Sequence, residues 1–208
     1  MTAIREAYNE WSATYDSVNN PTRDLEKQAC ESVLGAMDFN RVLELGSGTG
    51  KNTSWLAERS HQVVSVDLSP EMQAIAREKV TANNVEFRIA DINETWHAGS
   101  DFDLVTCSLV LEHVSNLDHI FQEASRVLVP GGMLYICELH PFKQYSGSKA
   151  RFETSAGEKI VECFDHHVSD FSTAAKAAGF SIESLLEWFD DDDRRNVPRL
   201  LSILFKKA

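Results

Sequence analysis

The sequence predicts an α/β fold: a doubly wound, mostly parallel seven-stranded sheet with helices on both faces and an antiparallel hairpin at one edge. Three observations carry this expectation. Short, nearly continuous apolar runs alternate with segments of helical spacing through the first 140 residues. Strands covered on both faces and joined by right-handed crossovers read this way. The first such run is followed at once by a glycine-rich turn, GSGTG. Two late apolar runs flank an acidic turn and pair most simply as a hairpin.

Taken in order, residues 2–18 are polar with interspersed aromatics and read as a helix. Pro21 interrupts. TRDLEKQACESVLGAM then repeats apolar residues at Leu25, Ala29, Val33 and Ala36, a helix with Thr22 as its cap. RVLEL (41–45) is a buried strand, and helical spacing resumes over 50–60 with Trp55, Leu56 and Arg59. QVVSVDL (62–68) is rich in β-branched residues and forms the second strand. Ser69 and Pro70 give an N-cap followed by proline at the first helical position, opening the helix EMQAIAREKVTA.

VEFRIADI (85–92) is the third strand and DFDLVTCSLVL (101–111) contains the fourth. A helix over 116–128 ends before Pro130-Gly131-Gly132, and GMLYICEL (132–139) is the fifth strand. The next stretch is polar, aromatic and too long for an ordinary connection, so 141–166 reads as a lid over the substrate. DFSTAAKAAGF is a helix closed by Gly179. FSIESLLEWF and RLLSILFKK form the edge hairpin around DDDDRRNVP, a solvated turn of like charges. There is no repeat or low-complexity linker, so residues 1–208 make one domain, with 1–38 as an N-terminal helical cap.

A chain of 208 residues buries one sizeable core. Hydrophobic residues make up 43% and charged residues 25%, an ordinary globular balance. The net charge of −12 argues against a nucleic-acid backbone or an anionic membrane surface as the partner. Cys30, Cys107, Cys137 and Cys163 form no CxxC pair; Cys107 and Cys137 sit in apolar runs as small hydrophobes, which suits a reducing cytoplasmic compartment. The opening residues lack the apolar stretch of a signal peptide, and no run approaches the roughly 20 residues of a membrane span.

The glycine loop lies where a doubly wound sheet binds ligands, beyond the carboxyl ends of its strands. Gly46, Gly48 and Gly50 let the loop turn tightly and bring bare N–H groups close to a ligand. Asp67 ends the second strand about 20 residues further on, the spacing of a carboxylate that accepts from ribose hydroxyls. With Ser69 as the helix cap, Asp67 is spare for that task. Asp91 closes the third strand and can accept from the amine of an adenine, with Ile92 covering the ring. Three successive strand ends thus point to an adenosine-containing ligand. GSGTG departs from the dinucleotide pattern GxGxxG, and Glu44 lies within the strand beneath it. A pyrophosphate is disfavoured by that acid; a cationic centre with an amino-acid tail is not.

The run VLELGSGTG, VVSVDLSPEM, ADI, FDLVTCSLVLEHV and LVPGG resembles the successive motifs of class I S-adenosylmethionine-dependent methyltransferases, whose fold is Rossmann-like. The nearest group in motif terms is the small-molecule enzymes of the ubiquinone/menaquinone and biotin pathways, over residues 40 to about 140. The resemblance implies that Glu44 and the backbone from Gly46 through Ser47 to Gly48 face the methionine portion of S-adenosylmethionine. It implies Asp67 on the ribose, Leu68 and Met72 beside the adenine, and Asp91 and Ile92 framing it. It further implies Ser108 near the amino-acid end, His113 at the active-site mouth, and Tyr8, Trp11 and Tyr15 as one aromatic face of a closing helix.

Methyl transfer needs an in-line nucleophile and the exclusion of water, with a base only if the acceptor keeps its proton. His140, after the fifth strand, is the first candidate base; His166 and Tyr145 follow. No metal is expected, because the spacing between ELH and DHH is long. In the lid, Phe142, Tyr145 and Phe152 suit an aromatic or partly apolar small-molecule acceptor, while Lys143, Lys149 and Arg151 keep a carboxylate or thioester open. The rival readings are a protein or nucleic-acid methyltransferase and a silent cofactor-binding protein. The acidic balance and CSLVLEH in place of an NPPY-type motif weigh against nucleic acid, and the intact acids and glycines against silence. A homodimer stays compatible with the sequence.

Overall fold

Asn20 decides where the second helix begins. Its Oδ1 accepts from the backbone N–H groups of Thr22 and Arg23 at 3.1 and 3.2 Å. Asparagine is among the strongest N-caps, and proline fits the first helical position because that N–H has no partner to lose. Pro21 therefore starts this helix rather than interrupting the chain, and the cap lies two residues before the expected Thr22.

The computed structural model describes residues 2–154 and 157–208. Among the described residues the order is α1 (Thr2–Tyr15), α2 (Pro21–Leu34), β1 (Phe39–Leu45), α3 (Lys51–Ala57), β2 (Ser60–Asp67), α4 (Pro70–Lys79) and β3 (Val85–Ile89). Then come β4 (Phe102–Ser108), a 3-10 turn at Leu111–His113, α5 (Leu117–Val127), β5 (Leu128–Leu139) and α6 (Pro141–Tyr145). A small hairpin of β6 (Arg151–Thr154) and β7 (Gly157–Ile160) precedes α7 (Val168–Ala177), β8 (Phe180–Trp188) and β9 (Leu200–Lys207).

Seven strands form one sheet in the order β3-β2-β1-β4-β5-β9-β8. The first five pair in parallel, with Val42 opposite both Val63 and Leu104. β9 joins β5 and β8 antiparallel, which makes the edge hairpin. Strand order reverses between β1 and β4, so the loops after these two strands face one crevice. Pro130 and Gly131, expected to precede β5, sit inside it at a register shift against β4.

Both sheet faces are covered. On one, Ala29, Cys30 and Leu34 of α2 and Leu56 of α3 pack on Val42, Val63, Leu104 and Tyr135. On the other, Phe121 and Ala124 of α5 and Phe171 of α7 pack on Leu43, Val64, Val105 and Leu134. Burying each large apolar side chain contributes about 1.5–3 kcal/mol, which explains the unbroken apolar runs of β1, β2 and β4. Gly179, after the capping Ala178, takes the left-handed φ of +84° that ends α7. No helix among the described residues is long and apolar enough to cross a membrane.

A third cluster lies over the carboxyl ends of the strands. Ile4 and Ala7 of α1 meet Phe152 and Val161, with Tyr8, Trp11 and Leu68 against them. The Trp11 and Phe152 rings stack at 5.1 Å with planes 11° apart. Lys159 Nζ donates to Glu10 at 2.8 Å. Of the expected helical cap and lid, α1 and the β6–β7 segment thus form one packed layer, while α2 packs on the sheet face; residues 155 and 156 lie outside the described residues.

Candidate functional site

The loop after β1 is built on left-handed backbone. Gly46 and Gly48 have φ of +67° and +55°. A Cβ at Gly46 would overlap the side chain of Val110, whereas one at Gly48 would meet open space. Gly46 thus lets the loops after β1 and β4 touch, and Gly48 presents bare backbone to the crevice. Asp67 Oδ2 accepts from Gly48 N at 2.7 Å and Oδ1 from Ser69 N at 2.8 Å. The expectation that Asp67 is spare is corrected: it ties the two loops together. Each carboxylate oxygen still has a second acceptor site. Burial raises the Asp67 pKa, against the lowering effect of those backbone donors. Ser69 is the cap foreseen, accepting from Met72 N at 3.1 Å.

Three cavities meet around Tyr15 and Leu109, which line all of them. The first, about 410 Å³, is polar and lined by Glu44, Gly46, Ser47, Gly48 and Ser108. The hydroxyls of Ser47, Thr106 and Ser108 are buried there without a hydrogen-bond partner. Such orphans call for a ligand or water. Glu44 accepts from Thr53 Oγ1 at 2.5 Å, and burial pushes its pKa up to about 8. Beside it, Lys51 Nζ donates to Glu26 at 2.7 Å. Sequence reading missed this pair, because nothing in α2 signals that Glu26 faces inward.

The second cavity, about 100 Å³, brings together Tyr8, Asp67, Leu68, Met72, Asp91, Ile92, Ser108 and His113. Asp91 lies two residues beyond the end of β3, not within it. The third, about 280 Å³, is lined by Tyr8, Trp11, Glu112 and several cations. Of the expected aromatic face, Tyr8 and Tyr15 reach the second cavity and Trp11 only the third. Leu109 holds a left-handed φ of +57°, a strained state for leucine, with its N–H on Cys137 O at 2.8 Å. Glu138 anchors the adjoining turn through Val110 N and Leu111 N at 3.2 and 3.1 Å.

His113 lines the second cavity and meets Tyr8, which lines the second and the third. Its Nδ1 lies 2.7 Å from Glu162 O, and a carbonyl only accepts, so Nδ1 carries the proton. The neutral ring then presents a lone pair on Nε2, 2.7 Å from Tyr8 Oη. Glu112 Oε1 is 3.9 Å from Nε2, and burial raises its pKa. Glu112, His113 and Cys163 could offer ligand atoms within 4.8 Å of one another. Both ring nitrogens of His113 are engaged, however, and burial pushes the Cys163 thiol up to about 12. Glu112 and Cys163 escaped sequence reading, since only the fold brings positions 51 residues apart into contact.

The three candidate bases lie elsewhere, which corrects that expectation. His140 is buried as the cap of α6, accepting from Phe142 N at 3.2 Å through Nδ1, with Nε2 3.2 Å from Glu187. His166 Nε2 donates to Leu111 O and Val114 O at 3.1 and 2.7 Å and so staples the 3-10 turn. Tyr145 is half exposed and bonded to His167 Nδ1 at 2.6 Å. None of the three lines a cavity at the crevice. Phe142 is exposed like Tyr145, so of the aromatics expected around the acceptor only Phe152 packs inward. The acidic turn is more ordered than expected: Arg199 grips Asp190 and Arg195 grips Asp193.

A doubly wound sheet with this crevice, a glycine loop after β1 and the acids Asp67 and Asp91 at and after the ends of β2 and β3 defines a nucleoside-binding α/β protein of the methyltransferase class. Comparison with known proteins gives the family. A family model described as a methyltransferase domain matches residues 43–136. The chain is 31% identical over 175 residues to the ubiquinone/menaquinone biosynthesis C-methyltransferase UbiE of Pseudomonas putida, covering 76% of this chain and 68% of the relative. It is 32% identical over 138 residues to the biotin biosynthesis bifunctional protein BioHC of Cellvibrio japonicus, covering 66% of this chain and 27% of that protein. The chain therefore spans about a quarter of BioHC's length. The structure of DhpI in complex with S-adenosylhomocysteine superposes with a TM-score of 0.79 at 23% identity, covering 100% of this chain and 96% of that one. This chain belongs to the S-adenosylmethionine-dependent methyltransferases.

Proposed function

We propose that this chain transfers a methyl group from S-adenosylmethionine to a small-molecule acceptor, working in the cytoplasm. The observation that carries the reading is the meeting of three cavities at Tyr15 and Leu109, with Tyr8, which lines the second and third, bonded to His113 of the second. The residues fit the cofactor. The orphaned hydroxyls of Ser47 and Ser108 suit an amino-acid tail, and the second cavity sets Leu68, Met72 and Ile92 against a base. Asp67 would take the ribose hydroxyls and Asp91 the adenine amine. When bound, S-adenosylmethionine supplies an electrophilic methyl group on a positive sulfur.

The chain's own residues do the rest. Tyr8 and Tyr15 turn aromatic surface toward the junction, where a cation is attracted. The layer of α1 and the β6–β7 hairpin keeps water out. His113 receives the acceptor's proton at Nε2 through the Tyr8 hydroxyl, which passes its own proton to Nε2 as it takes the acceptor's, because Glu162 O fixes the other proton on Nδ1.

Calorimetry with S-adenosylhomocysteine tests binding, and assay of methyl transfer against acceptor pools tests turnover. Asp67→Ala should weaken binding by about tenfold or more, the cost of losing charge-assisted hydrogen bonds. His113→Asn should lower kcat about 10²–10⁴-fold for an acceptor that keeps its proton at neutral pH. Absence of binding heat in the wild-type chain would sink the proposal; binding without turnover would leave the silent cofactor-binding reading.

A further inference from the structure

Resting on the methyltransferase reading, we propose that the third cavity is the acceptor site and that it selects a small molecule carrying an anionic group. The group is a carboxylate or a phosphorus oxyacid, held by Lys143, Lys149 and Arg151.

The charge distribution argues for this. The chain has 20 lysines and arginines against 32 acids. Even so, Arg23, Lys143, Lys149, Arg151 and Arg199 line this one cavity, with Glu112 as the carboxyl among its lining residues. The cations are not equivalent. Arg199 is spent on a two-pronged pairing with Asp190, and its Nη1 donates to Thr22 at 3.0 Å. Arg23 faces the Tyr15 ring at 4.3 Å and also lines the first cavity, where the cofactor's own carboxylate would draw on it. Arg151 has Glu158 at 3.6 Å, in water. Lys143 and Lys149 have no carboxylate within 4.0 Å among the described residues. Lys143 feels Asp190 only at longer range, and Arg199 already occupies that acid.

An acidic chain that gathers unneutralised ammonium groups around a concavity creates a local field for anions, against its overall charge. Burial raises the pKa of Glu112, the cavity's carboxyl. Tyr8 and Leu109 line both this cavity and the second one. A molecule anchored by its anionic end on the lysines would thus lie with its other end beside Tyr8 and His113.

The test uses the full chain saturated with S-adenosylhomocysteine and three probes that differ only in the group para to a phenol: 4-hydroxybenzoate, 4-hydroxyphenylphosphonate and the neutral 4-hydroxybenzamide. At low salt, at least one anion should bind about tenfold or more tightly than the amide, and added salt should erode the difference. Whichever anion binds better identifies the carboxylate or the phosphorus oxyacid as the source. In the double variant Lys143→Ala, Lys149→Ala the preference should vanish while affinity for S-adenosylhomocysteine holds, which separates lost recognition from lost fold. Equal binding of anions and amide, no binding of any probe to the loaded chain, or a preference that survives in the double variant overturns the proposal. A wild-type chain that fails to bind S-adenosylhomocysteine overturns the underlying reading and this proposal with it.

Discussion

Gly46 shows how one residue joins two loops. Its φ of +67° and the nearness of Val110 leave no room for a Cβ. Gly46→Ala should destabilise the chain by at least about 1–2 kcal/mol, from the left-handed backbone alone, with the Val110 overlap adding to it. Denaturant titration reads this directly, and an unchanged midpoint would contradict the packing. That a glycine was needed here was legible, because GSGTG follows a buried strand. Its reason was not, since Val110 lies 64 residues away and only the fold brings it near. Asp67 teaches the same lesson. Its place at a strand end was readable, but its grip on the N–H groups of Gly48 and Ser69 depends on loop conformation. The candidate bases fared differently. His140 follows a strand end as expected, yet its ring turns back to cap α6 and meets Glu187 of the edge hairpin. His113 already stood among the candidates as a residue of the active-site mouth; its proton arrangement required the carbonyl of Glu162.

Among the elements, α1 and the β6–β7 hairpin matter most, because they form the roof of the crevice. Trp11 stands between Tyr8 and Phe152, with ring centroids at 5.6 and 5.1 Å. Each such pair contributes about 0.5–1.5 kcal/mol beyond area burial. Trp11→Ala should loosen this roof more than the sheet. Amide hydrogen exchange in β6 and β7 should accelerate while β1 and β4 stay protected. Uniform acceleration across the chain would show that Trp11 supports the whole fold instead. The core strands were readable from periodicity because both of their faces are covered. The hairpin was not, although RFET and EKIV on either side of Gly157 are two short stretches with a turn signal between them. Its side chains are mostly exposed, so its apolar pattern is thin.

At the scale of the molecule, two buried acids tie stability to pH. Burial pushes Glu44 and Glu138 up to about 8, against an ordinary value near 4.5. The folded state then holds more protons than the unfolded state between about pH 4.5 and 8. Their stabilising contribution is fully present below the lower limit and is lost as pH rises through the upper one. Cofactor-free chain should therefore lose stability on going from pH 5.5 to 8, each acid contributing a slope of at most about 1.4 kcal/mol per pH unit. Glu44→Gln should flatten that dependence; urea midpoints across the range would reveal it, and an unaltered slope would place the titration elsewhere.

The sequence by itself determined the strand-and-helix alternation, the edge hairpin, the glycine loop and the acids Asp67 and Asp91 beside the strand ends. These are local facts: spacing sets which face is apolar, and glycine and proline punctuate turns whatever the rest of the chain does. Tertiary structure alone decided that Glu26 and Glu112 face inward, that α1 and the hairpin share one core, and which histidine stands at the crevice. Those outcomes depend on where distant segments meet and on which hydrogen bonds each ring finds there, and no local pattern encodes such distances.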